Sequence, residues 1–91
     1  MNWCTYILRC ADETLYYGIA RDLRRRLCEH RDGQVRSTKP RRPVHLVWYE
    51  ESDTAAQARR RERSFKNGRT RRKAIELLKA SFPPEKLAPF A

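Results

Sequence analysis

The stretch WCTYILRCADETLYYGIA, residues 3–20, decides the fold. Trp3 to Arg9 and Leu15 to Ala20 are two runs of aromatic and branched residues, and the polar Asp12, Glu13 and Thr14 break them apart. That pattern predicts a β-hairpin. Its register has two solutions. A two-residue loop at Asp12-Glu13 puts Tyr6 on the same face as Tyr17, whereas a three-residue loop or one bulge puts Tyr6 beside Tyr16. Gly18, inside the second strand, marks a bulge or a close backbone approach. Tyrosines in strands are usually packing residues, so Tyr6, Tyr16 and Tyr17 carry a structural reading of their own.

Moving outward, Asp22 is an N-cap for a helix that runs through Leu23 and Leu27 to about Arg31, with Asp32-Gly33 as its stop. A polar, basic loop leads to Pro43, and Val44 to Glu50 reads as a third strand. Ser52, Asp53 and Thr54 offer caps for a helix over Ala55 to Lys66 that Asn67-Gly68 ends, and Thr70 caps another reaching about Ala80. Phe82 to Ala91, with Pro83, Pro84 and Pro89, reads as an extended tail. The element order is β-β-α-β-α-α: an α+β fold in which a small antiparallel three-stranded sheet is flanked by helices. The expected division is one domain over residues 1–82 and a proline-containing tail over 83–91.

The chain has 91 residues, 21 of them Lys or Arg and 11 Asp or Glu, for a formal net charge of +10. A field of that sign attracts polyanions, above all nucleic acid. The charge is clustered. Arg36, Lys39, Arg41 and Arg42 form one acid-free stretch, and Arg59, Arg60, Arg61, Arg63, Lys66, Arg69, Arg71, Arg72 and Lys73 form a second basic run with a single acid, Glu62. Solvated basic faces that merely keep a protein soluble are the alternative, but two such runs favour phosphate contacts with salt-dependent affinity. No apolar run is long enough to span a membrane. Cys4, Cys10 and Cys28 are odd in number and lack C-x-x-C pairing, so they read as buried thiols in a reducing, cytoplasmic compartment.

Two polar features sit where apolar ones are expected. Ala55, Ala58, Glu62 and Phe65 share one stripe of the second helix, so the Glu62 carboxylate faces inward and needs a partner. That partner is an arginine in a structural salt bridge, a divalent cation, or water in a cleft. On the first helix Asp22, Arg26 and His30 lie along one face. They form either an exposed charge ladder or a pair in which Arg26 clamps a phosphate while His30 moves a proton.

Taken in order, Thr5-Tyr6-Ile7, Tyr16-Tyr17-Gly18, Arg26-x-x-x-His30, Arg41-Arg42-Pro43 and the helical Glu62 resemble the GIY-YIG nuclease superfamily, most closely its small single-domain bacterial members. The resemblance covers roughly residues 3–78. Cys4-Thr5-Tyr6 stands at the GIY position and Tyr16-Tyr17-Gly18 at the YIG position, so the two tyrosines and the glycine are kept while the first two residues of GIY are changed. The resemblance implies metal-dependent hydrolysis of nucleic-acid phosphodiesters, expected to be that of a DNA endonuclease in repair or recombination.

Under that resemblance Glu62 holds one Mg²⁺ or Mn²⁺ and Arg26 a non-bridging phosphate oxygen. Tyr6 or Tyr16 orients or deprotonates the attacking water, with His30 as proton acceptor or orienting partner. A phenol of ordinary pKa ~10 is a poor base at neutral pH, so this role requires nearby cations, Arg26 and the metal, to lower it. Gly18 is structural, and Arg36, Lys39, Arg41, Arg42, Lys66, Arg69, Arg71, Arg72 and Lys73 contact nucleic acid. Asn67 stands as a candidate for the superfamily's late asparagine. A protein partner that supplies targeting is a further expectation. The rival from another class is a non-catalytic nucleic-acid binding module on the same scaffold. A third reading, a basic RNA-binding or ribosome-associated protein, gives no reason for an inward Glu62.

Overall fold

The structure, a computed structural model, describes residues 2–66 and 71–90, without the side chains of residues 71–74 and 77. Strands β1 (Trp3–Arg9) and β2 (Leu15–Ala20) pair antiparallel, with Tyr6 opposite Gly18 and Leu8 opposite Tyr16. Tyr6 and Tyr16 therefore share a face. The three-residue loop wins because Cys10 to Glu13 closes a turn, the Glu13 N–H donating to the Cys10 carbonyl at 3.0 Å and the Cys10 N–H to the Thr14 carbonyl at 2.8 Å. Glu13 occupies the left-handed region at φ 69°. No register shift interrupts the hairpin, so Gly18 marks a close approach rather than a bulge.

Strand β3 (His45–Ser52) starts one residue later and ends two residues beyond the predicted span, and it pairs with the other side of β1 to give the order β2-β1-β3. Being central, β1 buries five consecutive residues, Cys4 to Leu8. Two apolar clusters form, one on each face. Tyr6, Leu8, Leu23 and Leu27 pack under helix α1 (Leu23–Arg31), while Ile7, Trp48, Phe65 and Ile75 pack under α2 (Ala55–Ser64) and α3 (Arg71–Ser81). Thr5 ties the layers together by donating to the Ala58 carbonyl at 2.9 Å. Asp22 caps α1 as predicted, and Thr54 with Gln57 forms a full capping box on α2. The predicted stop at Asn67-Gly68 and cap at Thr70 lie outside the described residues.

Three expectations are corrected. The proline-containing segment is not extended: Pro84–Leu87 forms a short helix, α4, and Ala88–Phe90 a 3-10 turn. Pro83 and Pro84 open that helix rather than break it, since proline fits a first helical turn. The segment folds back on the sheet, where Phe90 meets Tyr49 edge to face at 5.4 Å and Arg24 donates to the Pro89 carbonyl at 2.9 Å. The loop after α1 contains a 3-10 turn at Lys39–Arg41. Cys4 and Cys10 are buried, but Cys28 is exposed because it points away from the Leu23 and Leu27 stripe. No described helix is long and apolar enough to cross a membrane.

Candidate functional site

Tyr6, Tyr16, Gly18, Arg26 and His30 converge where α1 covers the β1–β2 face. Tyr6 and His30 are fully buried. The Tyr6 Oη and His30 Nε2 share a hydrogen bond at 2.9 Å, and the other ring nitrogen, Nδ1, lies 2.8 Å from the hydroxyl of buried Thr38. Tyr16 packs edge to face on the His30 ring at 5.1 Å and stands 6.3 Å from the Tyr6 ring. Gly18 makes room for this arrangement. A Cβ at position 18 would fall 2.5 Å from the Tyr6 hydroxyl, closer than such contacts allow.

Asp22, Arg26 and His30 do not form an exposed ladder. Asp22 is spent as the N-cap, His30 points inward, and Arg26 pairs with Glu29 at 2.9 Å. The Arg26 side chain is 37% exposed, so it stands between the buried tyrosine and solvent. Its own pKa is raised, first by Glu29 and then by Tyr6 against the opposing pull of burial. Burial pushes Tyr6 up to about 12, outweighing the hydrogen bond and charge of Arg26, so Arg26 by itself does not lower the phenol. Burial, and then the charge of Arg26, hold His30 down at about 4. At neutral pH the buried pair is therefore a phenol and a neutral imidazole.

Glu62 belongs to the other layer. Its stripe is as predicted, with Ala58 and Phe65 buried, and its side chain is only 17% exposed. Its partner is Lys66, one turn on at 2.5 Å, rather than an arginine. Among the described residues Glu62 bonds to none of the residues around His30, and no group of three or more His, Cys, Asp or Glu side chains is placed to cage a metal. A single carboxylate of this kind does suit Mg²⁺, which commonly takes one or two carboxylates and keeps waters and substrate phosphate as its other ligands. The donor set thus fits a singly anchored cation. Tyr16 and Tyr17 face opposite sides of the edge strand β2, and Tyr17 stacks on Phe65 at 5.7 Å. The two halves of the candidate site therefore flank β2.

Of the basic candidates, Arg36, Lys39 and Lys66 are exposed. Arg41 and Arg42 are partly committed to the scaffold. Arg41 donates to Thr14 Oγ1 at 2.7 Å and to the Ser37 carbonyl, while Arg42 donates to the Lys39 and Arg31 carbonyls beside Gly33. Arg71, Arg72 and Lys73 open α3, but their side chains, like all of Arg69 and Asn67, lie outside the described residues. Sequence reasoning missed Thr38. It sits in a polar loop, and only the tertiary fold brings it under His30.

Helical layers on a three-stranded antiparallel sheet thus gather two tyrosines, an arginine and a histidine over a glycine. The family model described as the GIY-YIG catalytic domain matches residues 2–74, and the chain belongs to that family. Within it, the chain is similar to the UPF0213 protein of Staphylococcus aureus strain Mu3, 44% identical over 75 residues that cover 81% of this chain and 90% of that protein. A solution NMR structure of the UPF0213 protein BH0048 from Bacillus halodurans is 31% identical, covers 97% of this chain and 94% of that one, and superposes with a TM-score of 0.56.

Proposed function

We propose that the chain is a metal-dependent endonuclease that hydrolyses phosphodiester bonds in nucleic acid, DNA in the first place, and serves repair or recombination. The observation that carries this reading is the buried Tyr6–His30 pair beside Arg26, a charge-bearing cluster for which packing alone gives no need. The negative backbone lies across the β2 edge and meets Arg26 on one side and Glu62 on the other. Arg26 exchanges Glu29 for a non-bridging phosphate oxygen, held by charge-assisted hydrogen bonds. Tyr16, only half buried, orients the attacking water.

Tyr6 then acts as a relay. With burial holding Tyr6 up near 12 and His30 down near 4, a separate phenolate and imidazolium are each disfavoured. A concerted transfer, in which Tyr6 accepts the water proton as it passes its own to His30 Nε2, avoids that state. Glu62, released from Lys66, holds one Mg²⁺ or Mn²⁺, and a bound cation of this kind supplies Lewis-acid stabilisation of charge on the phosphoryl and leaving oxygens.

The test is nicking of supercoiled plasmid with Mg²⁺, Mn²⁺ or EDTA, run beside Glu62→Ala. The expected result is metal-dependent nicking that Glu62→Ala abolishes while DNA affinity is kept. Binding without cleavage by the wild-type chain under every metal condition would instead establish the non-catalytic module.

A further inference from the structure

We propose that Thr38 is a positioning residue that fixes His30 in the tautomer protonated on Nδ1. The hydrogen-bond supply around the buried pair selects this arrangement. Thr38 is fully buried, and its Oγ1 lies 2.8 Å from His30 Nδ1 and 3.4 Å from the Val35 carbonyl. If Thr38 donates to Val35, its oxygen accepts from Nδ1–H, and Nε2 keeps the lone pair that accepts the Tyr6 proton. Every polar group is then satisfied, because Arg26, which carries donors only, can give to the Tyr6 oxygen.

The opposite tautomer strands a proton. With Thr38 donating to Nδ1 and Nε2–H donating to Tyr6, the Tyr6 hydroxyl proton would need an acceptor, and among the described residues its only hydrogen-bonded ring or carbonyl partner is His30 itself. A buried donor without an acceptor costs ~1–3 kcal/mol, enough to favour the first arrangement at least several-fold. The other groups facing the ring do not reverse the choice. Arg26 is a cation and accepts nothing, Tyr16 meets the ring edge to face without a hydrogen bond to it, and Glu29 is engaged by Arg26 at 2.9 Å and bonds neither ring nitrogen. The consequence for catalysis rests on the proposed function: only this tautomer presents an acceptor to Tyr6.

The experiment is a long-range ¹H–¹⁵N imidazole spectrum of the full chain at neutral pH, for wild type, Thr38→Val and Thr38→Ser, each paired with plasmid nicking. The expected wild-type and Thr38→Ser spectra show Nδ1–H, and Thr38→Val, close in shape but without the hydroxyl, shifts toward Nε2–H. Turnover falls roughly ten- to hundredfold in Thr38→Val, the usual range for loss of a residue that orients a functional histidine, with nucleic-acid affinity unchanged. Thr38→Ser restores it. A wild-type Nε2–H spectrum overturns the assignment even if Thr38→Val fails to fold, as does a Thr38→Val spectrum identical to wild type. If the tautomers behave as expected but the wild-type chain does not cleave, the positioning role stands and the nuclease reading falls.

Discussion

Gly18 and His30 show how much of the candidate site is decided one side chain at a time. Gly18→Ala would place a methyl 2.5 Å from the Tyr6 hydroxyl and 2.6 Å from its Cζ, on a ring pinned by its bond to His30. The ring or the β2 backbone must move, at a cost of ~1–3 kcal/mol as in other overpacked cores. A urea midpoint no lower than wild type would mean that Tyr6 has slack. His30 carries a pH signature. Its folded pKa of about 4 lies below the ordinary 6.5, so as pH falls the unfolded chain takes up the proton first. Stability from this residue is full above the unfolded pKa and is lost as pH falls toward the folded one, by up to about 3 kcal/mol. Urea melts across that window should show a steeper loss for wild type than for His30→Gln. Equal slopes would remove the claim that the imidazole is buried neutral.

At the scale of elements, the helices were legible because caps and stripes act locally. Asp22, Thr54 and the Ala58–Phe65 stripe all do what their spacing predicts. Thr54→Ala removes the half of the capping box in which Thr54 Oγ1 accepts from the Gln57 N–H, leaving the backbone N–H of residue 54 on Gln57, and should cost ~1 kcal/mol in thermal or urea unfolding. Strand parity was not legible, because it depends on Glu13 adopting a left-handed conformation that glycine or asparagine would have announced and glutamate does not. Glu13→Gly should relieve ~1 kcal/mol of backbone strain, partly offset by the greater freedom of glycine in the unfolded chain. A net gain in the unfolding midpoint is expected, and a loss would show that Glu13 is held there by more than the turn. The buried Tyr6–His30–Thr38 cluster was half legible. Arg26 and His30 stood out by spacing, whereas Thr38 required the loop to fold under α1, a long-range contact that leaves no periodic trace.

For the molecule as a whole, charge and closure separate onto different surfaces. Arg59, Arg60 and Arg63 project from α2 exposed and unpaired with any described carboxylate, whereas Arg24 and Arg31, also exposed, donate to backbone carbonyls of the C-terminal segment. Replacing Arg59 and Arg63 together by Gln should lower the slope of log affinity against log salt by roughly two on duplex DNA, as for two lost phosphate contacts. The C-terminal segment reads from its prolines as a tail because its docking joins Phe90 to Tyr49 and the Pro89 and Phe90 carbonyls to Arg24 and Arg31, partners far away in sequence. It lies beyond residues 2–74, the span that matches the family, and both apolar clusters draw their buried members from residues before it. Removing residues 83–91 should therefore leave a folded chain. It keeps the Phe82 contacts with Trp48 and Tyr49 but loses Phe90, a half-buried aromatic, and the hydrogen bonds from Arg24 and Arg31. Complete burial of such a side chain contributes ~1.5–3 kcal/mol, so the truncated chain should be destabilised by about 2 kcal/mol, with cooperative unfolding and nicking activity retained. A truncated chain without a cooperative transition would make residues 83–91 an integral layer of the domain, and the boundary at residue 82 would have no physical meaning.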